Sequence, residues 1–457
     1  MSPRGEVDIQ YLPIGTALPT RFCISTQDGM AELGKSLNGI QLKPPSAPLS
    51  AWAPLREPLF RSLWIAAVVC YTGRWILSVA SGWLMTGLTL SPLMVALVQA
   101  ASTLPAFLVL LPAGALADMV DRRHFLLVMQ TWMVVAAATL GILTFLNLVT
   151  PWILLLFTFL IGFGAVMNDP AWQAITPEVV SEENFAAAVA LNSAGYNLGR
   201  AVGPAIGGLI IAAAGTGSAF LINAVSIFGV IFFLYRWKRR PHEAPVPRER
   251  VMRAMRTGFE YVRHSHEVKA VLVRTAVFSF SASALLAMLP LIARPFGSIG
   301  YGGLLGFFGA GALGGAMALP ALRRVLSVNT LVVMATVLYA LTSFASGCVH
   351  MFAWLCAVLF AAGVAWIAIV ASLNVSAQTM SPAWLRARTL SIYLLVLQGG
   401  MAAGSAAWGA VGERWGIPAA LLVSALGLLA GLATIRRFRL RADGFAFPPA
   451  GASESIT

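Results

Sequence analysis

Charge is scarce in this chain. Only 11% of its 457 residues are Asp, Glu, Lys or Arg, and just 18 are acidic. A water-facing domain collects those residues on its surface, and here there are too few to clothe a soluble fold of this size. Cysteine is scarce as well, at Cys23, Cys70, Cys348 and Cys356. No CxxC pair or Cys/His cluster occurs, so neither a disulfide framework nor a zinc site is indicated. The histidines (His124, His242, His264, His266 and His350) fall near the ends of apolar runs or in one basic stretch. His264 and His266 read as solvated rather than as metal ligands. The absence of a Gly-x-x-x-x-Gly-Lys-Ser/Thr loop argues against a self-contained ATP-driven pump. No paired His/Asp or acidic cluster gathers at one membrane face, as an integral membrane enzyme would need. Nothing calls for a cofactor.

What the chain has instead is apolar surface. It is 58% hydrophobic with a mean hydropathy of +0.79. A bilayer-spanning helix takes about 20 apolar residues, and in lipid only helices or closed barrels satisfy their own backbone. The runs here exceed the roughly 10 residues of a barrel strand and do not alternate. They predict an all-α membrane protein with spans near 62–88, 92–116, 124–147, 150–170, 185–213, 217–236, 269–293, 301–322, 328–347, 350–373, 387–412 and 416–435. With the N-terminus inside, 26 of the 31 Lys and Arg fall in cytoplasmic segments. Arg294 and Arg414 fall outside, and Arg74, Arg200 and Arg274 lie within spans. That bias places both termini in the cytoplasm of a multi-pass inner-membrane protein. The net charge of +13 then faces an anionic leaflet rather than nucleic acid.

The expected organisation has five parts. Residues 1–58 form a disordered tail, with no signal peptide and with Met30 as an alternative start. Residues 59–236 and 269–436 form two six-helix bundles. Residues 237–268 are a cytoplasmic linker in which Val251, Met255, Phe259 and Val262 make one face of a basic amphipathic helix. Residues 437–457 are a cytoplasmic tail.

The two bundles are expected to be pseudo-symmetric, because a 201-residue offset links the halves. It carries Gly114, Arg122 and Arg123 to Gly315, Arg323 and Arg324. It also carries Gly162 to Gly363, and Gly199, Gly203 and Gly208 to Gly400, Gly404 and Gly409. Such duplication places a binding site between the halves near mid-membrane. Small residues at four-residue spacing let helices approach closely, so Gly199, Gly203 and Gly207 make a groove on the fifth span. Pro204 can kink it.

These residues resemble the major facilitator superfamily. GALADMVDRR looks like its signature between the second and third helices, with Gly114, Asp118, Arg122 and Arg123 in place. The run Gly199, Arg200, Gly203, Pro204, Gly207 and Gly208 is similar to the GxxxGPxxGG of its exporters. The stretches NDPAWQAITPEVV and ALNSAGYNLGRAVGPAIGG look like the transmembrane secretion effector group, which includes enterobactin exporters and relatives of macrolide efflux pumps. The resemblance covers about residues 55–436. It implies the twelve-helix facilitator fold and a gate in which Asp118 meets the start of the eleventh span near Arg386 and Arg388. Leu319 replaces the matching acid in the second half.

Arg74 is the sharpest single signal, deep in the first span on a polar stripe with Tyr71 and Ser78. It either lines a cavity or bonds between helices. Arg200 either bonds to carbonyls of a neighbouring helix or touches substrate, and Arg274 is read as snorkelling. By these span limits no acid lies at mid-membrane, Asp169 being near the cytoplasmic end of the fourth span. Arginines without buried carboxylates favour an anionic or electron-rich substrate. By the fold the resemblance implies, Asn168, Ser281 and Asn374 join Tyr71, Arg74 and Ser78 as cavity candidates. Asp118 and Asp169 are the off-centre candidates for proton coupling. The expected function is a monomeric secondary exporter of a small amphiphilic compound, with the bilayer and a proton as its other partners. A transport-inactive sensor or scaffold of the same fold is the alternative.

Overall fold

The computed structural model describes residues 52–236, 265–382 and 385–434. The tails and most of the linker, with its expected amphipathic helix, lie outside the described residues. Among those described there is no strand. The long helices are α1 (Pro58–Leu88), α2 (Pro92–Met119), α3 (Arg122–Phe145), α4 (Pro151–Val179), α5 (Phe185–Arg236), α6 (His266–Ile292), α7 (Gly297–Val325), α8 (Val328–Cys348), α9 (Phe352–Thr379), α10 (Arg386–Trp415) and α11 (Ile417–Gly431).

Turn residues set the helix starts. Pro58, Pro92 and Pro151 occupy first-turn positions, where their missing N–H would be unpaired anyway. Ser91, Asp121, Thr150, Ser265 and Ser327 each accept a backbone N–H from the first turn of the helix that follows.

Nine helical stretches among the described residues are long and apolar enough to cross a bilayer. Two of these, Glu182–Arg236 and His266–Val325, run 55 and 60 residues, more than twice the roughly 20 needed for one crossing. The first holds the expected fifth and sixth spans, joined at Gly215 (φ 80°, ψ 171°). The backbone there is tolerable only without a side chain. The repeat offset reaches Gly416 (φ 87°, ψ 160°), which makes the same corner between α10 and α11.

The fourth helix departs from expectation. It continues to Val179 rather than ending near 170, passing through Pro170 and Pro177. Its buried stripe explains why: Met167, Ala171, Ile175 and Val179 recur every four residues and pack with Phe60, Leu63, Leu126, Leu191 and Val230. That burial outweighs the two lost backbone bonds.

In the packing, α1 lies along α5, α2 along α4 and α10, α5 also along α3 and α7, α6 along α10, and α7 along α9. The glycines permit these approaches. A methyl group on Gly199 would meet Tyr71 and Thr72, on Gly203 Thr72 and Trp75, and on Gly207 Ile76 and Val79. The repeat offset reappears here. Gly208 abuts Ser298 and Gly302 of α7, while Gly409 abuts Leu93 and Ala96 of α2.

Candidate functional site

Arg74 is the seventeenth residue of α1, so at 1.5 Å per residue it stands about 21–24 Å from either end. A charge at that depth needs a partner or water. Helix α4 supplies the partner: Asp169 Oδ1 lies 3.5 Å from Arg74 Nη1, and both side chains are half-exposed. The expectation of an arginine without a nearby acid is therefore corrected. Its cause was the short fourth span, because Asp169 has ten more helical residues beyond it.

Aromatic groups surround the pair. Trp172 Nε1 donates to the Tyr71 hydroxyl at 3.1 Å. Tyr71 meets Tyr196 of α5 edge-on, with centroids 5.4 Å apart. Ser78, one turn from Arg74, is exposed on the same face. Tyr71, Arg74, Ser78 and Asp169 are thus brought to one place, where a polar or charged ligand group would find both a donor and an acceptor.

Other candidates point elsewhere. Asn168 is buried and accepts from Gln130 Nε2 of α3 at 3.0 Å, so it binds helix to helix. Ser281 is buried against Gly427 of α11. Both correct the cavity expectation, since a one-residue step around a helix turns a side chain by about 100°. Asn374 is half-buried and accepts from Gln378 Nε2 on its own helix at 2.6 Å. Arg274 does not snorkel; it is buried and donates to Asn329 Oδ1 of α8 at 2.7 Å.

The basic pair after α2 is structural in its contacts. Arg122 forms an ion pair with Glu178 at the end of α4, 2.9 Å away. Arg123 donates to the Leu234 and Tyr235 carbonyls, both at 2.7 Å, and so caps the end of α5. Asp118 and Gly114 lie on α2, but their surroundings fall outside the described residues, and with them the expected approach to Arg386 and Arg388. Arg386 Nε donates to the Gln378 carbonyl at 3.1 Å.

Arg200 makes no carbonyl bond among the described residues. Its guanidinium lies 6.0 Å from the Trp75 ring centroid and 5.9 Å from that of Phe308. Beyond it α5 presses against α7: Pro204 touches Gly302, and Ser298 Oγ donates to the Gly208 carbonyl at 3.2 Å. Trp83 stacks on Tyr301 with centroids 6.2 Å apart. At the same end, Glu413 of α10 accepts from Ser91 Oγ at 2.6 Å and from the Leu93 N–H at 3.2 Å, which satisfies the start of α2. A cavity of about 380 Å³ opens by the Gly215 corner, lined by Leu84, Leu88, Thr144, Asn147 and Thr216.

Sequence reasoning missed Trp172, Tyr196, Phe308 and Glu413. One signal was present: Tyr196, Arg200, Pro204 and Gly208 recur every four residues, marking the face of α5 that turns from the polar group to α7.

A family profile described as transmembrane secretion effector matches residues 49–446. The enterobactin exporter EntS of Escherichia coli O1:K1 / APEC is 27% identical over 403 residues, covering 84% of this chain and 94% of that protein. EntS of Shigella boydii serotype 18 matches to the same extent. Among solved structures, a bacterial homologue of the human lysosomal transporter Spinster, inward-facing and unoccupied, superposes with a TM-score of 0.66 at 14% identity. It covers 84% of this chain and 98% of that one. The nucleoside transporter NupG gives a TM-score of 0.68 at 12% identity, over 83% and 100%. These likenesses carry the fold, and the profile carries the family. The chain belongs to the transmembrane secretion effector family, multi-pass membrane transporters of the major facilitator superfamily.

Proposed function

We propose that this protein exports a small amphiphilic compound, siderophore-like or drug-like, by alternating access coupled to proton antiport. The reading counts twelve crossings in two six-helix halves: nine long apolar stretches among the described residues, two of them divided, at Gly215 within α5 and between α6 and α7, and the shorter α11 as the twelfth. The basic bias puts both termini in the cytoplasm, so the end bearing Glu413 and Ser91 faces outward. The protein works as a monomer.

The observation that carries the reading is the half-exposed Arg74–Asp169 pair at 3.5 Å. When Asp169 is charged, its half-exposed carboxylate accepts from a donor group of the substrate beside Arg74. When Asp169 takes a proton, that acceptor is lost and the substrate group is released. Proton and substrate then compete for one carboxylate, which is the differential affinity that exchange requires. The small-residue face of α5 lets the first and fifth spans move as one packed unit, and Asp118 latches the inward side.

The test is flux in proteoliposomes under an imposed pH gradient, with enterobactin and erythromycin as probes. Gradient-driven accumulation of either, lost in Asp169→Asn, is the expected result. Flux of both probes that ignores the gradient would remove the antiport reading. Binding without flux would mark a sensor or scaffold of the same fold.

A further inference from the structure

The arginines set into this fold differ in what satisfies them. Arg74 has Asp169, Arg122 has Glu178, Arg274 has Asn329, and Arg323 reaches Ser372 Oγ at 3.3 Å. Arg200 has none of these. Among the described residues its guanidinium has no hydrogen bond or ion pair; it lies beside the Trp75 and Phe308 rings, with Tyr196 within electrostatic reach. Both distances lie at the outer edge of the cation–π range, so the rings flank the group without saturating it. A guanidinium carries five N–H donors in its plane, and among the described residues no protein acceptor takes them.

Position sharpens the point. Arg200 is half-buried and well inside the first arm of α5. One turn to one side lies Tyr196, which packs on Tyr71 beside the Arg74–Asp169 pair. One turn to the other lies Pro204, where α5 closes on Gly302 of α7. Arg200 therefore stands where the polar group ends and the helix contact begins. Its two rings come from different halves of the chain, Trp75 from α1 and Phe308 from α7. Phe308 continues into Trp366, Phe278 and Tyr339, which back it with a packed aromatic wall.

We infer that Arg200, rather than Arg74, is the anion-binding group of the transported ligand, and that it takes a flat aromatic carboxylate or its chemical equivalent between Trp75 and Phe308. The carboxylate accepts from the free in-plane donors, a bidentate match that a neutral group cannot reproduce. The flat apolar body lies against the rings. This deepens the export reading and rests on it, giving that substrate an anionic aromatic portion. Arg74 keeps its separate business with Asp169. Because the rings belong to α1 and α7, an occupied site ties three helices together.

The test is equilibrium binding of radiolabelled 2-naphthoate to the purified full-length protein in detergent, against its neutral counterpart 2-naphthamide. The wild-type protein should prefer the carboxylate by at least about tenfold, the margin expected of one charge-assisted pair. Arg200→Gln should abolish that preference, Arg200→Lys should restore part of it, and Phe308→Leu should weaken both probes. Equal binding of the two probes by the wild type, or a preference that survives in Arg200→Gln, would overturn the inference. So would a preference lost in Arg74→Gln and kept in Arg200→Gln. If Arg200→Gln does not purify as a monodisperse protein, the wild-type preference and Arg200→Lys decide the matter. Binding is read without a gradient, so failure of proton-driven flux leaves this result standing, and the reverse holds too.

Discussion

Asp169 answers Arg74 across the gap between α4 and α1, carboxylate oxygen to guanidinium nitrogen at 3.5 Å. Half-exposed and longer than a tight hydrogen bond, the pair contributes little as an attraction, about 0–1 kcal/mol for exposed pairs. Stranding either member at this depth costs more, at least about 2.5 kcal/mol. The penalty for breaking the pair therefore exceeds the gain from making it.

Arg74→Ala should lower the melting temperature in detergent more than the double substitution Arg74→Ala/Asp169→Asn does. A coupling of about 1–2 kcal/mol is expected between the two positions. Additive effects in the double-mutant cycle would show that the two charges do not depend on one another.

Gly203→Ala should destabilise by about 1–3 kcal/mol through overpacking. Its new methyl group would stand 2.6 Å from Trp75 Cβ and 3.1 Å from the Thr72 carbonyl. Gly87→Ala is the comparison, since nothing lies within 4 Å of that position. Thermal denaturation of the two variants checks this, and equal melting temperatures would refute it.

Glu413→Ala should loosen the end of the molecule that carries Ser91. A hydrogen bond to a charged group contributes about 1.5–3 kcal/mol, and 1.4 kcal/mol corresponds to about tenfold in an opening equilibrium. The reporter is Ala96→Cys, fully buried beside Gly409 of α10, in a background without the four native cysteines. Its labelling by a membrane-impermeant maleimide should quicken about tenfold when Glu413 is removed. An unchanged rate would show that the bonds to Ser91 and Leu93 hold nothing shut.

Arg123→Ala should cost about 1–3 kcal/mol, because it uncovers two carbonyls at the end of α5. Arg123→Lys should recover only part, since one ammonium cannot reproduce the two-pronged geometry. Full recovery by lysine would reduce the role of Arg123 to charge alone.

The helices were legible because hydropathy reports length, and the glycine face of α5 was legible because its spacing is regular. The end of α4 was not. The span limit near 170 marked only the end of the apolar run, and the stripe from Met167 to Val179 explains why the helix runs on through Pro170 and Pro177. From that one misplaced boundary followed the mistaken isolation of Arg74. Asn168 and Ser281 show a second limit. Residue type marks a side chain as polar, but the neighbours it turns toward, Gln130 and Gly427, belong to other helices and leave no trace in local sequence.

Gly215 and Gly416 bring the chain around within a single residue, at equivalent places in the two copies of the repeat. There is no slack at either corner. In the alternating access proposed above, whatever tilts one arm of such an elbow is handed undamped to the other, and each copy acts as a stiff lever. A longer tether inserted at either corner would leave the individual rods intact and take away the stroke.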